Sequence, residues 1–265
     1  MMVVLITGIS SGFGLEIARH LSREGHVVYG TVRREVEPLP GVGYFQLDVR
    51  DPQAVQKAVD HIVAKEGRLD VLVNNAGMGI GGPLEYATEE EIQEQMEANF
   101  MGLVHCVKAV LPVMRQQGQG KVIAMSSIGG LMGLPFQGYY SASKFAIEGY
   151  CEALRLETKA FGITVTVIRP GDFSTGFTGS RKKTLNDEAA LVYPTYAESM
   201  AKVEHDETRG LKPQVLAHKV SRIVRKRRPR YHYVVASFEQ RLSVSLKRIL
   251  PARWFAAILG SYYKL

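Results

Sequence analysis

The chain has 265 residues, 46% of them hydrophobic, and a formal net charge of +7. That length buries a sizeable core and suits one large α/β domain, and no run approaches the ~18 to 20 continuous apolar residues of a membrane span. The N-terminus opens without a basic start and cleavage site, so a cytoplasmic protein is expected. Cys106 and Cys151 fall in apolar helical patterns and read as buried thiols, which argues against a disulfide framework or a metal site. The charge is uneven: residues 209 to 265 hold 14 Lys and Arg against the single acid Glu239, whereas residues 1 to 208 hold 19 basic and 25 acidic residues. Such asymmetry suits either a basic tail with an acidic partner or a solvated basic face.

Val3-Val4-Leu5-Ile6 reads as a strand and is followed at once by Thr7-Gly8-Ile9-Ser10-Ser11-Gly12-Phe13-Gly14, then by the helical pattern Leu15, Ile17, Ala18, Leu21. Strand, glycine turn and helix in that order aim backbone N–H groups and a helix N-terminus at a pyrophosphate. The glycine spacing is Gly-x-x-x-Gly-x-Gly and not the commoner Gly-x-Gly-x-x-Gly, so an ordinary strand-to-helix turn stands as the alternative. Residues 26 to 32 give a second strand ending in Arg33-Arg34, where a site for NAD would place an acid for the ribose 2′-hydroxyl. An arginine there pairs instead with a 2′-phosphate and points to NADP, with Arg33 the better candidate; two solvated loop charges are the bland reading. Residues 43 to 49 give a third strand, and its Asp48 either accepts from an adenine amino group or caps the helix beginning at Pro52.

A helix over 52 to 65 (Val55, Ala58, Val59, Ile62, Val63) precedes a fourth strand, Leu69 to Val73, which closes on Asn74-Asn75-Ala76-Gly77. This alternation predicts a doubly wound parallel sheet of Rossmann type, about seven strands with helices on both faces. Gly120 to Ser127 is a fifth strand ending in two serines. Tyr140-Ser141-Ala142-Ser143-Lys144 then sets a phenol and an ammonium on one helix face. A lysine held there favours the phenolate and is expected to pull the tyrosine pKa below its unperturbed ~10, making Tyr140 a general acid or base. Ile163 to Ile168 is a sixth strand, and the following Arg169-Pro170-Gly171-Asp172-Phe173-Ser174-Thr175 predicts a turn.

Together, Thr7-Gly8-x-x-x-Gly12-x-Gly14, Asp48, Asn74-Asn75-Ala76-Gly77 and the Tyr140–Lys144 pair resemble the short-chain dehydrogenase/reductase family, in order and spacing along about the first 210 residues. The resemblance implies that Asn99, in Glu97-Ala98-Asn99-Phe100, belongs to a proton relay, although a plain polar helix position is the other reading. It also implies that Ser127, thirteen residues before Tyr140, binds the carbonyl, with Ser126 its structural partner. Pro170, Gly171 and Thr175 match a segment that holds the nicotinamide carboxamide. The implied cofactor set is Gly8, Ser10, Ser11, Gly12, Phe13, Gly14, Arg33, Arg34, Asp48, Val49, Asn75, Ala76, Gly77, Tyr140, Lys144, Pro170, Gly171, Phe173 and Thr175. Dimers or tetramers through the helices around 96 to 116 and 140 to 160 are expected on the same ground.

After Thr175 the pattern loosens, and residues 176 to 211 read as a lid over a substrate or as a disordered loop. A helix from about 213 to 226, the basic run Lys226-Arg227-Arg228-Pro229-Arg230 and a seventh strand over 231 to 235 complete a domain of residues 1–235. Residues 236–265 read as a basic amphipathic extension: Leu242, Leu246, Ile249 and Leu250 share a face, and Trp254, Phe255, Ile258, Leu259 and Tyr262 repeat the pattern. Basic groups beside such a stripe fit a helix in a membrane interface, and fit a docked core or dimer helix nearly as well.

The expected chemistry is reduction of a carbonyl by NADP(H), with Ser127 and Tyr140 on the substrate oxygen, Lys144 behind Tyr140 and on the nicotinamide ribose, and Asn99 resupplying the proton through a water. The expected substrate-lining residues, Met78, Ile80, Ile128, Leu131, Met132, Phe136, Phe173 and Phe177, are apolar and suit a lipid-like ketone of the steroid, retinoid or 3-ketosphinganine kind. Two other readings stay open: an NAD-dependent alcohol or hydroxysteroid dehydrogenase working oxidatively, and a non-catalytic NADP-binding protein whose basic tail holds nucleic acid or a partner, although no nucleic acid is expected.

Overall fold

Runs of Val and Ile alternate with amphipathic stretches along the chain, and in the computed structural model, which describes residues 1–184 and 187–265, each run becomes a strand. Strand β1 (Val3–Ile6) leads through the glycine turn into α1 (Gly12–Arg23), β2 (Val27–Val32), β3 (Val42–Gln46), α2 (Pro52–Glu66) and β4 (Val71–Asn74). A short β5 (Ile80–Gly81) precedes α3 (Glu89–Met96), a π-helical turn (Glu97–Met101) and α4 (Gly102–Gln117). Next come β6 (Gly120–Met125), α5 (Gly138–Glu157), β7 (Ile163–Pro170), α6 (Phe177–Ser180), β8 (Lys182–Lys183), α7 (Asp187–Val192) and α8 (Tyr196–Thr208). The chain ends with α9 (Pro213–Arg225), β9 (His232–Val235), α10 (Phe238–Ile249) and α11 (Ala252–Tyr262).

Seven strands form one parallel sheet in the order β3-β2-β1-β4-β6-β7-β9, the doubly wound arrangement expected from the alternation. The period of two along each strand sends side chains to opposite faces. Val3 and Leu5 join Leu72, Val122 and Val165 under α2, α4 and α5, where Cys106 and Cys151 are buried free thiols. Val4 and Ile6 join Val71, Val73 and Ile123 under α1 and α9. Because both faces are covered, these strands are apolar throughout instead of alternating. Winding reverses between β1 and β4, and the loops after the two strands diverge there, opening a crevice at the carboxyl ends.

Several local expectations are corrected. Strand β3 stops at Gln46, so Asp48 and Val49 lie in the loop beyond it. Asp48 does not cap α2: Asp51 does, accepting from the N–H groups of Gln53 and Ala54 at 2.9 and 3.1 Å. The segment 176 to 211, read as a lid with a disordered loop as the alternative, is not that loop: α6, β8, α7 and α8 form there and β8 pairs with β5, while residues 185 and 186 lie outside the described residues.

The apolar pattern of the C-terminal helices divides in two. Val244 and Phe255 are buried against Met132, with Leu246, Leu250 and Leu259 packed around them. Leu242 and Ile249 instead face outward, 48% and 78% exposed, so the expected single face is two faces. At about 100° per residue, Leu242, Ile249, Leu246 and Leu250 spread over roughly 100° of the helix, and only one edge of that arc reaches the core. Among the described residues no helix is long and apolar enough to cross a membrane.

Candidate active site

One cavity of about 1140 Å³ occupies the crevice, running from the glycine turn past α5 to the C-terminal helices. The turn after β1 owes its shape to close packing. Gly8 and Gly12 have φ of +70° and +57°, and a Cβ on Gly14 would stand 2.1 Å from the Gly8 carbonyl oxygen. Ser11 begins α1 without a side-chain cap, and no acid sits in the first turn. Gly8, Ser10, Ser11, Gly12 and Phe13 line the cavity, while Gly14 lies behind them. Uncapped N–H groups and the positive end of a helix dipole facing a cavity suit a diphosphate.

Beyond the turn, Arg33 and Arg34 are exposed at the cavity wall and have no ion-pair partner among the described residues. Asp48 and Val49 lie beside them. Burial raises the Asp48 carboxyl, but three hydrogen bonds from Arg50 at 2.7 to 3.0 Å outweigh that and hold it below its ordinary value. The acid is thereby neutralised where an anion would approach. Asn75, Ala76 and Gly77 after β4, and Pro170, Gly171, Phe173 and Thr175 after β7, close the other side of the cavity.

Ser127, Tyr140 and Lys144 all border this space, because the end of β6 and the first turns of α5 meet there. The Ser127 hydroxyl accepts from the Gly129 N–H at 3.0 Å, which fixes its rotamer. Lys144 is buried, donates from Nζ to the Met125 carbonyl at 2.9 Å, and sits 5.6 Å from the centre of the Tyr140 ring. Here the expected lowering of the tyrosine is corrected. Burial dominates and pushes the Tyr140 phenol up to about 12 against a smaller opposing effect of the Ser127 hydroxyl, and burial brings Lys144 down to about 8. Sharing a helix face is not enough when both groups leave water: desolvation penalises phenolate and ammonium alike. Tyr140 is thus a neutral phenol, the form that gives a proton away.

Asn99 does not border the cavity. It is buried in the π-turn, where its Oδ1 accepts from the Met78 N–H at 2.7 Å and its Nδ2 donates to the Met78 carbonyl and Ser143 hydroxyl at 3.0 Å each. These bonds set it apart from a solvated helix position. A Cβ on Gly77 would lie 2.9 Å from Asn99 Oδ1 and 3.9 Å from Lys144 Nζ, so both side chains approach that glycine closely.

Of the residues expected to line a substrate, Met78, Ile128, Met132, Phe173 and Phe177 border the cavity. Ile80, Leu131 and Phe136 do not. Ile80 is held in β5 by a bond from its N–H to Gln95, Leu131 packs towards the Val244–Phe255 cluster, and Phe136 makes T-shaped ring contacts with Tyr193 and Tyr196. The wall that the sequence did not reveal comes from the far end of the chain: Leu242, Leu246, Phe255, Ile258, Leu259 and Tyr262. The Ser237/Gln240 capping box, legible as Ser-x-x-Gln, was the available signal for the helix carrying the first two.

An acidic patch shares that wall. Asp172, Asp206 and Glu207 line the cavity with Lys202. Gln240 Nε2 donates to Asp172 at 2.6 Å, and the Tyr262 hydroxyl donates to Asp206 at 2.5 Å, so both C-terminal helices are tied to the site through its acids. Burial first, then Glu207 and Asp206, push the Asp172 carboxyl up to about 6.

The family model described as short chain dehydrogenase matches residues 2–186. A protein of Bacteroides thetaiotaomicron named 3-ketodihydrosphingosine reductase is 45% identical over 99% of this chain and 98% of its own. Among solved structures, a short-chain dehydrogenase from Streptomyces avermitilis superposes with a TM-score of 0.80 at 29% identity, over 99% of this chain and 96% of that one. ElxO, solved with NADP bound, superposes with a TM-score of 0.72 at 26% identity, over 88% and 96%.

The raised Asp172 carboxyl has a measurable consequence. As pH rises from the ordinary carboxylate value to about 6, the unfolded chain releases this proton and the folded protein keeps it, so stability falls through that window and the whole penalty stands above it. Asp172→Asn is therefore expected to be the more stable protein above about pH 7, by at most about 3 kcal/mol, and indistinguishable from the parent near pH 4, as read by urea unfolding at the two values.

Proposed function

The chain belongs to the short-chain dehydrogenase family of oxidoreductases, and from that premise we propose that it is an NADPH-dependent reductase converting the carbonyl of a long-chain, lipid-like ketone to a secondary alcohol. The observation that carries the reading is the meeting of Ser127, Tyr140 and Lys144 on a cavity whose lining continues into Phe177, Leu242, Leu246 and Phe255.

The glycine turn and the start of α1 would hold the diphosphate, Arg33 and Arg34 the 2′-phosphate, and Asp48 with Val49 the adenine edge. Asn75, Ala76, Gly77, Pro170, Gly171 and Thr175 would hold the nicotinamide end. The unpaired guanidinium groups favour NADP over NAD, and the NADP bound by ElxO supports the choice. The cofactor supplies a hydride. The chain's own groups do the rest: the Ser127 and Tyr140 hydroxyls bond the carbonyl oxygen and favour the negative charge that grows on it, and Tyr140 gives that oxygen its proton. Lys144 stands behind Tyr140 to balance the charge left on the phenolate, and Asn99 orders the backbone of Met78 next to it.

The name of the Bacteroides relative supports a long-chain 3-keto amine as substrate. Asp172, which has no ion-pair partner among the described residues, suits a protonated amine beside the carbonyl, whereas Asp206 and Glu207 are paired with Lys202 and Arg181; the apolar C-terminal wall suits the chain. Association into dimers or tetramers through α4 and α5 is part of the proposal, supported by exposed Phe145 and Leu156 on the outer face of α5.

Tyr140→Phe should lower kcat by ~10² to 10⁴ while the Kd for NADPH stays within about threefold; near-normal turnover would reject the proton donor. Arg33→Ala should weaken NADPH by roughly tenfold and leave NADH unchanged, as measured by fluorescence titration with each nucleotide. Asp172→Asn should raise KM roughly tenfold for a long-chain 3-keto amine but not for the same ketone without its amine; equal effects on both would remove the amine from the proposal.

A further inference from the structure

The basic C-terminal region divides into two surfaces. Lys226 to Arg230 precede β9 and so lie at the amino ends of the strands, whereas α10 follows β9 and lies at the carboxyl ends, with the cavity. Only the second surface is also apolar. Phe238, Leu242 and Ile249 fall within about 40° of one another on α10, and Trp254, Ile258 and Tyr262 fall within about 80° on α11. All six are between 47% and 78% exposed, although Val244 and Phe255 on the same helices are buried. Leu242, Ile258 and Tyr262 also line the cavity, so both exposed stripes border its mouth.

The charges beside these stripes are mainly cationic, Glu239 in the first turn of α10 being the one acid of the two helices. Arg241 and Arg248 flank the α10 stripe, about 60° to 80° from Phe238, and Arg253 precedes Trp254. Among the described residues none of the three has an ion-pair partner. Other exposed cations do find acids, as Lys182 does with Glu94 and Lys264 with Glu198. Contiguous exposed apolar side chains, with an indole and a phenol among them and unpaired guanidinium groups at the edge, are what a bilayer interface with anionic headgroups stabilises: rings and aliphatic groups enter the acyl boundary while the cations stay with phosphate.

We infer that the outer faces of α10 and α11 dock on an anionic lipid surface and set the cavity mouth against it. The inference goes beyond the reductase reading and is tested without turnover. On that reading, docking would let a lipid-like substrate pass from bilayer to cavity without crossing water.

Trp254 is the only tryptophan in the sequence, so the intact protein reports its own docking. With vesicles of phosphatidylcholine containing roughly one third phosphatidylglycerol, Trp254 emission should shift to the blue and be quenched by brominated acyl chains, and co-sedimentation should be at least tenfold stronger than with phosphatidylcholine alone. Raising salt to about 1 M should remove most of the anionic preference. Phe238→Ser with Ile249→Ser, two positions outside the cavity lining, should lose at least tenfold in vesicle binding with an unchanged thermal transition. Arg241→Gln with Arg248→Gln and Arg253→Gln should bind anionic and neutral vesicles alike. No blue shift on either vesicle, or binding indifferent to lipid charge in the parent, would overturn the inference. So would a concentration-dependent dimer that becomes monomeric in the Phe238→Ser, Ile249→Ser variant, because the face would then belong to a second copy.

Discussion

Thr7 and Asn75 join the two halves of the molecule. The Thr7 hydroxyl accepts from the N–H groups of Asn75 and Ala76 at 2.9 Å each, and Asn75 Nδ2 returns bonds to the Thr7 and Gly8 carbonyls at 3.0 Å. Thr7 is fully buried, so these bonds form away from competing water. They tie the loop after β1 to the loop after β4 at the point where the sheet reverses its winding. The glycine turn, the start of α1 and the Asn75-Ala76-Gly77 wall take their positions from this link. Gly14 shows how little slack it leaves, since a Cβ there would also come within 2.6 Å of Asn75 Nδ2.

The same economy of space governs the Tyr140–Lys144 pair. Burial sets the protonation of both groups by favouring the neutral form of each, so the two pKa values move in opposite directions: the tyrosine keeps its proton and the lysine is eased towards losing one. What the pair gains from proximity is position more than acidity. Lys144 is anchored on the Met125 carbonyl at the end of β6, Ser127 follows two residues later, and Ser143 bonds both the Tyr140 carbonyl and Asn99. One strand end, one helix and one π-turn therefore fix Ser127, Lys144, Ser143 and Asn99 beside the ring. A π-turn widens the helix where Asn99 must reach Met78 and Ser143 at once, in keeping with the frequent use of such turns at functional sites.

Chemistry and selectivity come from different parts of the chain. The groups around Tyr140 lie between β1 and β7, whereas the wall facing them is built by α8, α10 and α11, joined to the sheet end through Asp172–Gln240 and to each other through Asp206–Tyr262. Among the described residues, the α10–α11 part of that wall rests on a small cluster of three buried apolar residues, Met132, Val244 and Phe255, with partly buried neighbours such as Leu246 and Leu259 around them. Such a lightly packed layer opens at lower free energy than the two cores of the sheet, as suits elements that must admit a bulky ligand.

Much of this was legible in the sequence because it is written locally. Runs of β-branched residues between amphipathic stretches give strands, glycines give the turn, and the parallel doubly wound sheet follows; the motif around Tyr140 and the strand-end residues Ser127 and Asn75 could be named without coordinates. What the tertiary structure alone decided depends on distances between segments far apart in the chain. The pKa values of Tyr140 and Lys144 follow from burial, which spacing cannot report. Ile80, Leu131 and Phe136 are apolar as a pocket residue would be, yet packing turned them elsewhere, since periodicity marks a face as apolar without saying what it meets. Asp172 and Tyr262 reach one cavity wall only because β9 pairs with β7 and carries the C-terminal helices over the open end of the sheet.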